Sequence, residues 1–213
     1  MGGDANEVQK VFADTEAFAD ELHSVISLPA FDDSVRIRVS DLLCSLSLEH
    51  WKAIRQLLAS GLLPSALTVH RAQFEAIVRS IWALYGATDD HLSRLNDSDL
   101  TAESEQAAKN LPQTQDMMEV LSTTAPVQAY EALERFKESS WKALNSYAHA
   151  GIHPIRRHET GYPIALAVSA LKNANGLAVL TCMQAAVLSG VQPLQRSILN
   201  LAGRYPHCMP PPS

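Results

Sequence analysis

The chain has 213 residues, 46% of them hydrophobic and 19% charged, with a net charge of −6 and a pI near 5.7. That is the composition of an ordinary globular protein long enough to bury a sizeable core. The acidic balance excludes a surface that coats nucleic acid indiscriminately and leaves room only for a local basic patch.

The three cysteines, Cys44, Cys182 and Cys208, are far apart and odd in number, and no CxxC pair exists. They support neither a disulfide framework nor a thiolate zinc site, and a reducing cytoplasm is the simplest setting. The N-terminus, MGGDANEVQK, has no basic stretch ahead of an apolar run, so no secretory signal is expected.

Helical periodicity runs through the chain, and no convincing alternating strand is found. Asp4 followed by Glu7 resembles a capping pattern and predicts a helix over about residues 5–27, ended by Pro29. Asp33 or Ser34 starts a second helical stretch reaching Gly61, with an interruption near Ser47. Pro64 and Ser65 begin a third, to about Ala87. The polar run TDDHLSRLNDSDLTAESEQ reads as a loop leading into a short helix.

Pro112 suits the first residue of another short helix, ending near Ser122. A longer one is expected from about Pro126 to His149, closed by Gly151 with Pro154 soon after. Pro163 then starts a long apolar helix to Gly190. Its part from Asn173 to Gln195 carries no charge. Polar residues along it and an apolar run short of ~20 residues favour a buried core helix over a membrane span. A last helix covers roughly Pro193–Ala202. The expected architecture is one all-α bundle domain over residues 1–205, with a disordered Pro-rich tail at 206–213.

Two polar clusters interrupt the apolar helices. The first is His70, Arg71, Glu75 and Arg79 in SALTVHRAQFEAIVRSIWALYG. At 100° per residue, Phe74, Val78, Ile81 and Tyr85 project close to Leu67, and Arg71 falls inside the same arc at about +40°. The opposite face holds Val69, Ala72, Ala76, Ser80 and Ala83. Such small residues let a neighbouring helix come close, so this helix is expected to be central. Arg71, Glu75 and Arg79 stand at i, i+4, i+8, which suits an internal salt-bridge ladder. The alternative is that Arg71 points into a cleft and holds a carboxylate or phosphate. His70 reads as a core or rim histidine.

The second cluster is LNSYAHAGIHPIRRH, residues 144–158. Leu133, Phe136, Trp141, Leu144 and Tyr147 form the apolar arc of its helix, and Lys142, Asn145 and His149 stack on the other face. That face is either solvated or a ligand face. His149 and His153 have the i, i+4 spacing of helical metal ligands, and His158 follows. Gly151 and Pro154 make a helix doubtful there, and HExxH is absent. Metal binding is therefore not favoured and no cofactor is implied. Arg156 and Arg157 sit in a turn-like stretch and read as solvated loop charges, with a phosphate contact through Arg156 as the alternative. GxSxG, GxxxxGK[ST] and GxGxxG are also missing, which removes serine hydrolase, P-loop and dinucleotide-binding readings.

The stretches SLEHWKAIRQLLASGLLPSALTVHRAQFEAIVRSIWALYGA, FKESSWKALNSYAHAGIHPIRRHETGYP and LKNANGL resemble a bacterial family of unknown function, the DUF6988 type, over most of the chain from about residue 46. More distantly, the chain resembles the DUF5677 and HEPN groups of helical bundles. Those carry an Arg–Glu helix, here Arg71 with Glu75, and a later helix ending in a Ser/Asn–aromatic–X–His pattern, here Asn145 to His149. The resemblance implies a four-helix core with added helices. It also brings in the metal-independent ribonucleases of the HEPN group, linked to phage defence or toxin–antitoxin systems. They use an Arg followed after four to six residues by His, the histidine as acid or base and the arginine at the phosphate. No arginine precedes any histidine here at that spacing; Lys142 stands in its place before His149, without the bidentate fork.

The favoured expectation is a binding or regulatory helical module, a homodimer, taking a small ligand or protein partner at Arg71, Glu75, Arg79, Tyr147 and Arg156. A nuclease acting through His149, Lys142 and Asn145 and a metal-dependent bundle enzyme are the alternatives. A nucleic-acid partner is less favoured, a membrane partner is not expected, and an enzyme is the minority reading.

Overall fold

A computed structural model describes residues 2–96 and 101–211, with the side chains of all but 2–5, 107 and 108. Among the described residues there is no strand. The helices are α1 (Gly2–Val25), α2 (Val35–Ala59), α3 (Leu63–Tyr85), α4 (Asp89–Leu95), α5 (Ala102–Lys109), α6 (Thr114–Thr124), α7 (Val127–Ala148), α8 (Ile152–Thr160), α9 (Ile164–Leu188) and α10 (Pro193–Arg204). The all-α expectation holds.

Helix α3 packs against α2, α6, α7 and α9, which makes it the centre of the bundle. Phe74, Ile77, Val78 and Ile81 on its apolar arc are fully buried. Its face of small residues receives α2. There Ser40 Oγ donates to the carbonyl of Ser80, and Ser80 Oγ donates to the carbonyl of Ser40, both at 2.9 Å. A reciprocal exchange of this kind needs two backbones in close approach, which side chains no larger than serine allow. Helix α2 runs unbroken through Ser47, contrary to the expected interruption. The Ser47 hydroxyl instead bridges helices, meeting Gln73 O at 3.3 Å and Thr181 Oγ1 at 3.0 Å.

Helix α9 is long and apolar enough to cross a membrane by length and composition. Its buried polar side chains are bonded into the bundle. Asn175 accepts from Trp51 Nε1 at 2.8 Å and donates to Thr15 Oγ1 at 2.9 Å and Cys208 O at 2.8 Å. Gln184 donates to Ser40 Oγ at 3.2 Å.

Four local expectations are corrected. Helix α1 is already helical at Gly2, so Asp4 lies inside its first turn rather than ahead of it. The polar stretch after Ala87 is not a plain loop: α4 forms on it because Thr88 Oγ1 accepts from His91 N at 3.2 Å while Thr88 N donates to His91 Nδ1 at 3.3 Å. Leu92 anchors α4 in the core, and residues 97–100 of the same stretch lie outside the described residues. Residues 152–160 are helical, because Pro154 occupies the first turn of α8, where a missing N–H costs little.

The fourth concerns the tail. A 3₁₀ turn covers Pro206–Cys208, Cys208 is fully buried, and Pro210 lies against Gly176, where an added Cβ would stand 2.9 Å from Pro210 Cγ. One cysteine and one backbone carbonyl anchor this segment, too little for any apolar period to reveal. Residues 212 and 213 lie outside the described residues.

Candidate functional site

The end of α7 is built by a turn with unusual backbone demands. His149 caps the helix, its N–H donating to Asn145 O at 3.1 Å. Ala150 follows with φ 49°, a left-handed conformation that costs an L-residue about 1–2 kcal/mol. Gly151 then passes so close to Ser146 that a Cβ would stand 2.6 Å from Ser146 Oγ. Its N–H donates to Ser146 O at 2.7 Å, and Ser146 Oγ accepts from His153 N at 3.0 Å, starting α8. This turn ends α7 directly after His149, which lies beside α3.

There His149 meets Arg71. Arg71 Nη1 lies 2.7 Å from His149 Nε2, and Nη2 lies 3.0 Å from Glu75 Oε1. The guanidinium carbon sits 5.2 Å from the centroid of the Trp141 ring, a cation–π distance. A guanidinium can only donate, so Nε2 accepts and the ring proton sits on Nδ1. The Arg71 side chain is 21% exposed and that of Glu75 34%. Arg71 therefore stands at the wet edge of the apolar arc. The internal ladder expected with Arg79 is half made: among the described residues Arg79 has no ion pair, and its buried Nε has no hydrogen-bond partner. Arg71 Nε and Asn145 Oδ1 are likewise buried and unpartnered.

The other expected site residues divide. Lys142 is exposed on the α7 face that also carries Asn145. Tyr147 is buried, with its ring 6.3 Å from that of His153; burial pushes its phenol above the ordinary value. Arg156 is exposed and paired with Glu159 at 3.4 Å, outside the Arg71 cluster. His149 and His153 do not share a helix, since one caps α7 and the other lies in α8. Among the described residues no group of three His, Cys, Asp or Glu side chains is placed to hold a metal ion.

His70 is in the core, but it is not satisfied there. It is 1% exposed, neither ring nitrogen has a hydrogen-bond partner, and burial pulls its pKa from 6.5 down to about 3. Its ring stands edge-on to Phe136 at 5.1 Å. Phe136 stacks on Phe74 at 4.8 Å, and Phe74 contacts Trp141 at 5.5 Å. An aromatic line thus runs across the α3–α7 seam from His70 to the ring beneath Arg71.

Sequence reasoning missed two contributors. Trp141 reads as plain core, although its spacing from the Lys142–Asn145–His149 face marks a ring at the boundary. Ser146 reads as a polar helix residue, although its distance from Gly151 signals a tight helix end.

Fold and site together define an all-α bundle with an arginine–histidine contact where its central helix meets the end of α7. The chain belongs to the DUF6988 family, a family of unknown function, whose match covers residues 44–211. No curated protein and no solved structure matches the chain.

Proposed function

We propose that the protein is a binding module whose Arg71–His149 site recognises an anionic group, a carboxylate or a phosphate. The observation that carries this reading is the 2.7 Å contact between Arg71 and His149. It joins a cationic donor on one helix to a neutral imidazole at the end of another, at a partly exposed edge. Glu75, 3.0 Å away, already holds the guanidinium as a ligand carboxylate would. Lys142 adds an exposed positive charge on the same side of α7.

Glu75 makes the reading testable. An incoming anion must compete with it, so Glu75→Gln should tighten binding of inorganic phosphate or AMP and Arg71→Gln should weaken it, each about tenfold, by isothermal titration. Equal affinities in all three proteins would sink the proposal.

One observation favours a second reading, a HEPN-like metal-independent ribonuclease. The arginine missing from the local spacing before His149 is supplied across the bundle by Arg71. In that chemistry His149 would move a proton at the ribose 2′-hydroxyl and Arg71 would hold the phosphate charge. An RNA-cleavage assay decides it: equal rates for the natural sequence and His149→Ala remove the nuclease.

A further inference from the structure

Helix α2 buries one face and leaves an apolar stripe of the other in solvent. Ser40, Cys44, Ser47, Trp51, Ile54 and Leu58 point into the bundle. Val35, Leu42 and Leu46 are exposed, Leu42 to 62%, and Ala53 is half-buried. At 100° per residue Val35, Leu42, Leu46 and Ala53 fall within about 40° of one another, on the side away from Cys44. Steps of seven, four and seven residues between them are those of a seam between two helices. Two charges, Arg38 and Glu49, border the stripe on the same flank. Arg38 donates to the neutral amide of Asn96 at 2.6 Å. Among the described residues neither Arg38 nor Glu49 forms an ion pair.

We propose that a second copy of this chain docks on the stripe, α2 packing antiparallel on α2 about a two-fold axis level with residue 44. The helix is self-complementary about that point. Leu42 and Leu46 lie about 3 Å to either side of it along the helix, so Leu42 of one copy meets Leu46 of the other. Val35 and Ala53 lie about 13.5 Å out and set a large side chain against a small one in the same way. Arg38 lies about 9 Å to one side and Glu49 about 7.5 Å to the other. An isologous antiparallel pairing brings that flank of one helix against the same flank of its mate. Arg38 of each copy then faces Glu49 of the other, twice per dimer. Both charges gain the ion pair that the single chain does not give them. A different partner would have to present the same charges in reversed order; a second copy does so by symmetry.

Analytical ultracentrifugation of the full chain from about 1 to about 200 µM tests this. The mass should rise with concentration from 23.2 kDa toward twice that value. Leu42→Glu should weaken association about a hundredfold, since it puts a charge from each copy into the seam. Its circular dichroism should match that of the natural chain. Arg38→Glu and Glu49→Arg should each weaken association about tenfold by setting like charges opposite one another. Mixed together, those two variants should associate as the natural chain does, and so should the double variant that carries both changes. This rescue distinguishes docking from misfolding, because a misfolded variant would not be restored by its counterpart. The proposal is overturned if the mass stays at 23.2 kDa throughout, the stripe then being left to some other protein. It is equally overturned if the dimer survives Leu42→Glu, the copies then meeting through another face, or if mixing the two charge variants restores nothing.

Discussion

Arg71 Nη1 and His149 Nε2 stand 2.7 Å apart across 78 positions of chain. The contact ties the middle of α3 to the residue that caps α7. Its energy is bounded by its exposure. An ion pair with both side chains partly wet and one cation–π contact contribute together about 1–2 kcal/mol. Arg71→Ala should therefore lower unfolding free energy by about that amount in urea titrations. A loss of about 3–5 kcal/mol would indicate a sealed core pair instead.

His70 gives the protein a stability that depends on pH. The folded state keeps the ring neutral down to about pH 3, while the unfolded chain takes up a proton near its ordinary value of 6.5. Unfolding therefore binds a proton between those limits. This contribution is complete above about pH 6.5 and is lost as the pH falls, by about 1.4 kcal/mol per pH unit. His70→Phe should lack that slope. Urea midpoints of the two proteins between pH 7 and 4.5 check this, and parallel curves would mean that water reaches the ring.

Ala150 holds a conformation that suits glycine, with φ 49°. Ala150→Gly should stabilise the protein by about 1 kcal/mol, seen as a rise in Tm. Gly151→Ala should do the reverse, since its new Cβ would collide with Ser146 at 2.6 Å and disturb the turn between α7 and α8. An unchanged Tm in both variants would contradict this turn geometry.

Asn175 joins four elements through Trp51, Thr15 and Cys208. Asn175→Ala leaves a buried indole N–H and a buried carbonyl without partners. At about 1–3 kcal/mol for each stranded group, the loss should reach about 3 kcal/mol in urea unfolding. Limited proteolysis should also show earlier cleavage after Arg204. A loss below 1 kcal/mol would mean that water replaces the amide.

The bounds of α7 and the centrality of α3 are legible in the sequence because both rest on a 3.6-residue period, with Pro126 and Gly151 flanking the former. Val69, Ala72, Ala76, Ser80 and Ala83 likewise announce a close helix neighbour, and α2 is there. The meeting of Arg71 with His149 is not legible. A projection places residues around one axis and says nothing of what lies across from them. His149 also sits at the cap of α7, where the helical period ends. Helices α4 and α8 escape for a related reason: a histidine closes the capping box of one, and a proline that reads as a stop sits harmlessly in the first turn of the other.

The Asn175 junction and the Ser40–Ser80 exchange bear on where this chain can be cut. The family match starts at Cys44, in the interior of α2. A fragment drawn on those limits would discard Ser40 and all of α1. Ser80 would lose the hydroxyl that reaches its carbonyl, and Asn175 would lose Thr15. The recognisable stretch and the smallest piece that can satisfy its own interior are thus different lengths of polypeptide. Anyone dissecting this bundle should keep the first forty-odd residues attached.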